Sequence, residues 1–285
     1  MGGVTVASFN VHSGVDGWGR PFDVVEACAH LDADVIVMQE DWAAGSDGPG
    51  LSDLVAQRLG YVTNSETLAH GWRYPVPADA TPRFGPPRLS GRTAGVRLDR
   101  GPSRRGRSRL GPQPAGSERG RWRLAVLTRL PVRGTQVIAL AQLRRDPARR
   151  VALVIELDTC GSPLTVVGVH MPHLKHGSPL NYAELRRALR VIHGSVVVAG
   201  DMNLSGPALR LLLPGWRDTV KGRTWPSWRP LAQPDHILVN ASAAHEPGHV
   251  VSCGGSDHLA IRASVYSRLI ERLMPEFRDP LAGAG

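Results

Sequence analysis

The chain is predicted to fold as one large α/β domain built on mixed β-sheets. Three observations carry that prediction. Twelve or more short apolar runs rich in Val and Ile recur along its 285 residues, each of strand length. Segments with helical spacing stand between some of them, which favours one interleaved α/β core over two separate cores. A hydrophobic fraction of 42% in a chain of this length suffices for a single large core.

Residues 4–9 (VTVASF) open the chain as a strand. Residues 22–31 follow with helical spacing of Val24, Val25, Ala27, Cys28 and Leu31, and 34–39 form the next strand. This βαβ-like start puts Asn10 and Glu40 at the ends of two strands that a mixed sheet can set side by side. Residues 51–59 read as a helix stopped by Gly60. From about 73 to 121 Pro, Gly, Ser and Arg dominate, and too little apolar surface is available to offset the entropy of ordering. A surface insertion at about 75–121 is therefore expected within a single domain spanning 1–285. Order resumes with strands at 124–128, 135–140, 151–157 and 164–170. A helix is predicted over 179–193, with Ser178 as N-cap and Pro179 in the first turn. Then come a strand at 196–200, a short helix at 206–213 opened by Pro207, and strands in HILVN, HVVSC and HLAIRASV. A last helix is expected over 266–274, and 279–285 as a frayed tail.

Cys28, Cys160 and Cys253 are too far apart and too few for a disulfide framework or a CxxC zinc site, so they are expected to be small core residues. No apolar stretch reaches the roughly 18 residues that span a bilayer. The N-terminus shows no basic segment followed by an apolar one, and a cytoplasmic location is the expectation. The formal charge of +9 is local. Residues 83–123 hold twelve arginines against Asp99 and Glu118, so the rest of the chain is close to neutral.

Polar residues stand at the edges of the apolar runs: Asn10 in ASFNVH, Glu40 in VIVMQED, His170 in VVGVHMPH, Asp201 and Asn203 in VVVAGDMN, Asp235 in QPDHILV, and Asp257 and His258 in GGSDHLAI. Four carboxylates, two amides and two histidines aimed from a rigid sheet suit a divalent metal and a phosphate ester, whose hydrolysis needs charge neutralisation, an oriented water and help for the leaving oxygen. A shared zinc face on His170, His173 and His176 is not expected, because Pro172 breaks a helix there. His12 and His236 flank the motifs in supporting or packing roles. Trp18, Trp42, Trp225 and Trp228 are candidates for cleft walls, with packing under loops as the alternative.

Together, and in this order, FNVH, MQED, GVHMPH, AGDMN, PDHILV and SDHLAI resemble the endonuclease/exonuclease/phosphatase superfamily, the DNase I-like enzymes, over about residues 4–265 outside the insertion. The resemblance implies a four-layer α/β sandwich, two packed mixed β-sheets flanked by helices. It implies Mg²⁺ as cofactor, with Mn²⁺ as the alternative, held by Glu40 with Asn10 and Asp257. Asp201 would orient or deprotonate the attacking water, Asn203 would donate to a phosphate oxygen, and His170 would hydrogen-bond the scissile phosphate. His258 would be the acid/base or phosphate-stabilising histidine, with Asp235 fixing its tautomer. Asp257 faces the other way on a regular strand and needs a bend at Gly254–Ser256 to reach the metal. Arg123 stands where the family often has a small residue, before LAVLTRLPV.

Substrate choice lies in loops. The arginine-rich stretch, with Arg104, Arg105, Arg107 and Arg109 at its centre, would grip a polyanion without reading sequence. A nuclease-type phosphodiesterase on nucleic acid is the first expectation. A phosphatase or phosphodiesterase on phosphoinositide, phospholipid or small phosphorylated metabolites is the alternative, and an idle nucleic-acid-binding domain a third. A monomer without a protein partner is expected.

Overall fold

The computed structural model describes residues 3–74, 95–99, 117–159, 163–173 and 179–267. Its strands are β1 (Val4–Asn10), β2 (Val35–Ala44), β3 (Val62–Arg73), β4 (Val96–Leu98), β5 (Glu118–Thr128), β6 (Val132–Ala139) and β7 (Val151–Leu157). They continue with β8 (Leu164–His170), β9 (Ser195–Asp201), β10 (Arg217–Asp218), β11 (Asp235–Val239), β12 (Ala243–His245), β13 (His249–Val251) and β14 (Ala260–Ser267). The helices are α1 (Val24–Ala29), α2 (Leu51–Leu59), α3 (Pro179–Leu189) and α4 (Gly206–Leu212).

Two sheets form, in the orders β12-β14-β1-β2-β5-β3-β4, with β13 also on β14, and β10-β11-β9-β8-β7-β6. The centres of the sheets repeat one plan. A parallel pair, β1 with β2 or β8 with β9, is flanked by antiparallel neighbours. The C-terminal ends of the four parallel strands carry Asn10, Gln39–Glu40, His170 and Asp201. The alternation of side chains along each strand then sorts the apolar residues into layers. Val6, Val35 and Val37 meet Leu153, Ile155, Val166, Val197 and Ile237 between the sheets. Ala7, Phe9, Ile36 and Met38 face outward onto Val24, Cys28 and Val55 of α1 and α2. Val167, Val169, Val196 and Val198 face outward onto Tyr182, Leu185 and Leu209 of α3 and α4. This is the four-layer α/β sandwich the sequence resemblance implied.

Several elements differ from expectation. The twelve-residue β3 escaped notice because its sequence, VTNSETLAHGWR, lacks a sustained apolar run and is mostly half-buried. Its stability comes from pairing along the length of β5. The stretch expected to be an insertion from 75 is ordered at both described parts. Val96–Leu98 pairs with Gly71–Arg73, and Glu118–Arg121 extends β5. Residues 266 and 267 belong to β14 rather than to a last helix. The remainder of that helix, the 279–285 tail, Cys160, and Arg104, Arg105, Arg107 and Arg109 lie outside the described residues.

Candidate active site

Asn10 is the joint between the sheets. Its carboxamide oxygen accepts the backbone N–H of His12 (3.0 Å), which fixes the amide so that its NH₂ faces the carboxylates. That NH₂ donates to Glu40 Oε1 (3.2 Å) on the first sheet and to Asp201 Oδ2 (3.1 Å) on the second. Glu40 reaches this position through an irregularity of β2. The β2–β5 register shifts between Met38 and Asp41, and Glu40 adopts φ +56°. A bulge of this kind re-aims one side chain out of the ladder. Asp201 follows Gly200, where φ is +152° and a Cβ would sit 1.9 Å from the Val169 carbonyl oxygen, so only glycine fits.

Asp201 and Asn203, two residues apart, would project alike from an extended segment, but the chain turns between them. Asn203 lies in the left-handed region (φ +49°). Its backbone N–H closes an Asx-type turn onto Asp201 Oδ1 (2.7 Å), and its Nδ2 donates to the Met171 carbonyl (2.9 Å). Asn203 thus holds the β8 and β9 ends together, with one amide hydrogen already committed.

On the other side of Asp201 stands a hydrogen-bonded pair. Asp235 lies opposite Asp201 in the β11–β9 register. Its Oδ2 accepts from His258 Nδ1 (2.9 Å) and from Thr224 Oγ1 (2.5 Å). His258 Nε2 then points toward Asp201 Oδ2 at 4.0 Å, and His170 Nε2 is 3.6 Å from the same oxygen. Burial would lower the His258 imidazolium, but Asp235, Asp257 and Asp201 outweigh it and hold it well above the usual histidine value. His170 is pushed well below that value by burial and then by the charge of Arg150, so one imidazole is a proton holder and the other neutral. Burial, then the charge of Asp235, pushes the Asp201 carboxyl up to about 7.

The bend needed by Asp257 is present: Gly254 and Gly255 have φ of +80° and +86°, and β14 begins only at Ala260. The Asp257 carboxylate accepts from Trp225 Nε1 (3.3 Å) and stands 3.5 Å from His12 Nδ1. Asp257 is thereby held by the Trp225 indole and the His12 imidazole. Among the described residues the tightest group with ligand-like spacing is Asp201, Asp235 and His258, whose ligand atoms lie within 4.8 Å of one another. Asp235 Oδ2 there already serves two donors. Asn10, expected among the metal ligands, turns its NH₂ to Glu40 and Asp201 and so positions Glu40 rather than offering an oxygen. Glu40 and Asp257 offer carboxylate oxygens, and Asp257 Oδ1 is buried without a hydrogen-bond partner. Those features fit a hard divalent cation such as Mg²⁺.

Residues unmarked by any motif support the site. Arg150, 6% exposed, makes two bonds to Asp146 (2.7 and 3.1 Å) and a third to the His170 carbonyl (3.0 Å). Its guanidinium lies 5.4 Å from the Trp122 ring, which in turn packs 4.9 Å from the His170 ring. The spacing of Asp146 and Arg150, four apart before an apolar run, was the available signal, but surface ion pairs share it. His236 lies between Asp218 Oδ2 (2.6 Å) and the Leu204 carbonyl (2.9 Å), a supporting role. Arg123, unusual for the family, is matched by Asp41, Asp53 and Ser52. Trp42 is core, buried with its indole N–H on Glu118.

A family model described as "Endonuclease/Exonuclease/phosphatase family" matches residues 7–258. The chain belongs to this family. Among solved structures, a family protein from Leptotrichia buccalis is 14% identical with a TM-score of 0.62, covering 92% of this chain and 99% of its own. An endonuclease/exonuclease/phosphatase from Beutenbergia cavernae is 20% identical with a TM-score of 0.62, covering 94% of this chain and 72% of its own. TDP2 from D. rerio, solved with a single-strand DNA product, is 14% identical with a TM-score of 0.57, covering 93% and 99%. At these identities the likeness is one of fold. No curated protein matches the chain.

Proposed function

We propose that this family member is a divalent-metal-dependent phosphodiesterase acting on nucleic acid. The observation that carries the reading is the carboxamide of Asn10, which joins Glu40 and Asp201 across the two sheets within reach of the His258–Asp235 pair. Glu40 and Asp257 are the residues that would hold Mg²⁺ or Mn²⁺, with the Asn10 NH₂ positioning the Glu40 carboxylate. When bound there, the cation supplies charge neutralisation of the phosphate and assistance to the leaving oxygen.

The chain's own groups divide the remaining work. Asp201, with its carboxyl pushed up to about 7, is poised near neutrality to take a proton from the attacking water. Asn10 keeps that carboxylate oriented. His258, its Nδ1 bonded to Asp235, holds a proton at Nε2 for a phosphate oxygen. Neutral His170 offers a second, uncharged contact from Nε2. No helix among the described residues is long and apolar enough to cross a membrane.

The proposed arginine grip has support in where its anchors sit. Tyr74 N–H bonds to the Gly95 carbonyl, and Asp99 N–H to that of His70. β5 begins at Glu118, beyond the end of β2 that carries Glu40. The described residues on either side of the arginine-rich stretch, Asp99 and Glu118, therefore lie level with or beyond the Ala43–Ala44 end of β2, past Glu40. The D. rerio TDP2 structure contains single-strand DNA product, which favours the same substrate class here.

The test is hydrolysis with Mg²⁺ and with EDTA of plasmid DNA, single-stranded RNA, a phosphoinositide and bis-p-nitrophenyl phosphate. Glu40→Gln and His258→Ala serve as controls. Mg²⁺-dependent cutting of nucleic acid, lost in both variants, supports the proposal. Turnover of only the lipid or the small ester would move the protein to the phosphatase reading. Nucleic-acid binding without turnover would mark an idle domain.

A further inference from the structure

Beyond the reacting groups, the cleft rim carries an aromatic pair that no core claims. Trp18 and Trp228 pack with ring centroids 4.9 Å apart and planes at 47°. Both are half-buried, and neither belongs to the three apolar clusters of the fold. Two large rings held outside the core ordinarily move on ps–ns timescales; these are pinned by the backbone on both sides.

The 16–20 turn is rigid because Asp16 caps it. Its Oδ1 accepts from the N–H groups of Trp18 (2.8 Å) and Arg20 (2.9 Å), and its Oδ2 from Arg20 Nε (2.7 Å). That fixes the Arg20 guanidinium 5.3 Å from the Trp18 ring centroid. Gly17 lies so close to the Trp228 ring that a Cβ would stand 2.3 Å from it. The 224–232 loop is closed by bonds between Trp225 and Ala232 and between Leu231 and Trp225. The same loop is joined to the reacting groups. Thr224 bonds Asp235, Trp225 Nε1 bonds Asp257 Oδ2, Ser227 N–H bonds the Asp257 carbonyl, and Ser227 Oγ the Ser256 carbonyl. Exposed Arg229 belongs to this loop as well, and exposed Arg223 immediately precedes it.

We propose that Trp18 and Trp228, with the stacked Arg20, form a shelf that seats a base of a single-stranded nucleic acid beside the scissile phosphate. This rests on the nucleic-acid reading above and narrows it to unpaired strands. The chemistry matches a base better than other groups attached to phosphate. A base presents a flat π-face to indole and guanidinium, and its flanking phosphates meet Arg223 and Arg229, whereas an inositol ring has no π-face to stack. Such stacking tolerates any base, which suits loops that offer no described base-edge reader.

The experiment crosses a protein change with a substrate change. Trp228→Ala, Trp18→Ala and Trp228→Phe are compared with wild type on a short single-stranded oligodeoxynucleotide and on its fully abasic counterpart. Steady-state KM and kcat are measured, together with oligonucleotide binding in EDTA followed by tryptophan quenching. Each alanine variant should raise KM for the intact strand about 5- to 100-fold, the range expected for one lost stack, with kcat little affected. Abasic substrate should carry the same penalty in wild type, the two penalties should not multiply, and Trp228→Phe should recover most of the binding. Penalties that multiply, an unchanged KM on the intact strand, or a loss equal on both strands would overturn the shelf. Wild-type protein that hydrolyses bis-p-nitrophenyl phosphate but neither binds nor cuts the oligonucleotide would overturn the nucleic-acid reading itself, and the shelf with it.

Discussion

Replacing Asp201 by Asn should make the protein inactive and, above neutral pH, more stable. Asp201 is 2% exposed, and its carboxyl, ordinarily at 3.8, is pushed up to about 7 by burial and by Asp235. The folded protein therefore keeps this proton through a window in which the unfolded chain has released it. The native state binds more protons there, so stability falls as pH rises from about 4 to about 7. The interval between the two values corresponds to roughly 4 kcal/mol of penalty on the ionised form at pH 8. Asparagine carries no charge but cannot copy both hydrogen bonds. Oδ1 receives the Asn203 N–H and Oδ2 the Asn10 NH₂, so in either amide orientation one donor meets another donor. That mismatch costs about 1–3 kcal/mol. The net gain is about 1–3 kcal/mol at pH 8, a rise in Tm of roughly 2–5 °C. Thermal unfolding in EDTA at pH 4, 6 and 8 measures it, alongside phosphodiesterase turnover. The advantage should shrink as pH falls and reverse near pH 4, close to the unfolded-state value, where nearly all of the ionisation penalty is gone. A variant less stable than wild type at pH 8, or an advantage independent of pH, would refute the argument.

Other consequences are as direct. Asp235→Asn removes the main charge that holds the His258 imidazolium up, so His258 should lose its proton at lower pH; the alkaline limb of kcat/KM should move down and turnover fall about 10³- to 10⁴-fold. Arg150→Met leaves Asp146 buried without its partner, which should cost about 3–5 kcal/mol in denaturant unfolding. It also removes a charge that keeps His170 low, so the His170 imidazole should titrate at higher pH by NMR. Arg123→Met should cost about 3–5 kcal/mol by stranding Asp41 at 0% exposure, and adding Asp41→Leu should recover part of the loss in the same unfolding assay.

What could be read from residues alone follows from which forces are local. The apolar runs declared β1, β2, β7, β8 and β9, because a strand buried on both faces needs nearly every side chain apolar. β3 did not declare itself, since it is held by hydrogen bonding along β5, and its half-buried positions accept Asn, Ser, Glu and Thr. Arg123 looked out of place for the family. Asp41, where the β2 ladder resumes after the bulge, and Asp53, in the first turn of α2, supply its counter-charges, and neither pairing is visible along the chain.

By itself the sequence determined the family, the α/β class and the identity of the polar residues at the strand ends, because strand length, side-chain period and motif order are properties of neighbouring residues. The tertiary structure alone decided what those residues do to one another. It brought Asn10 within 3.1 Å of Asp201 from 191 positions away, turned Glu40 out of its ladder, folded Asn203 back onto Met171, and set Trp18 against Trp228. Those outcomes depend on two sheets packing face to face at a fixed register, and the energies that set register are summed over the whole core.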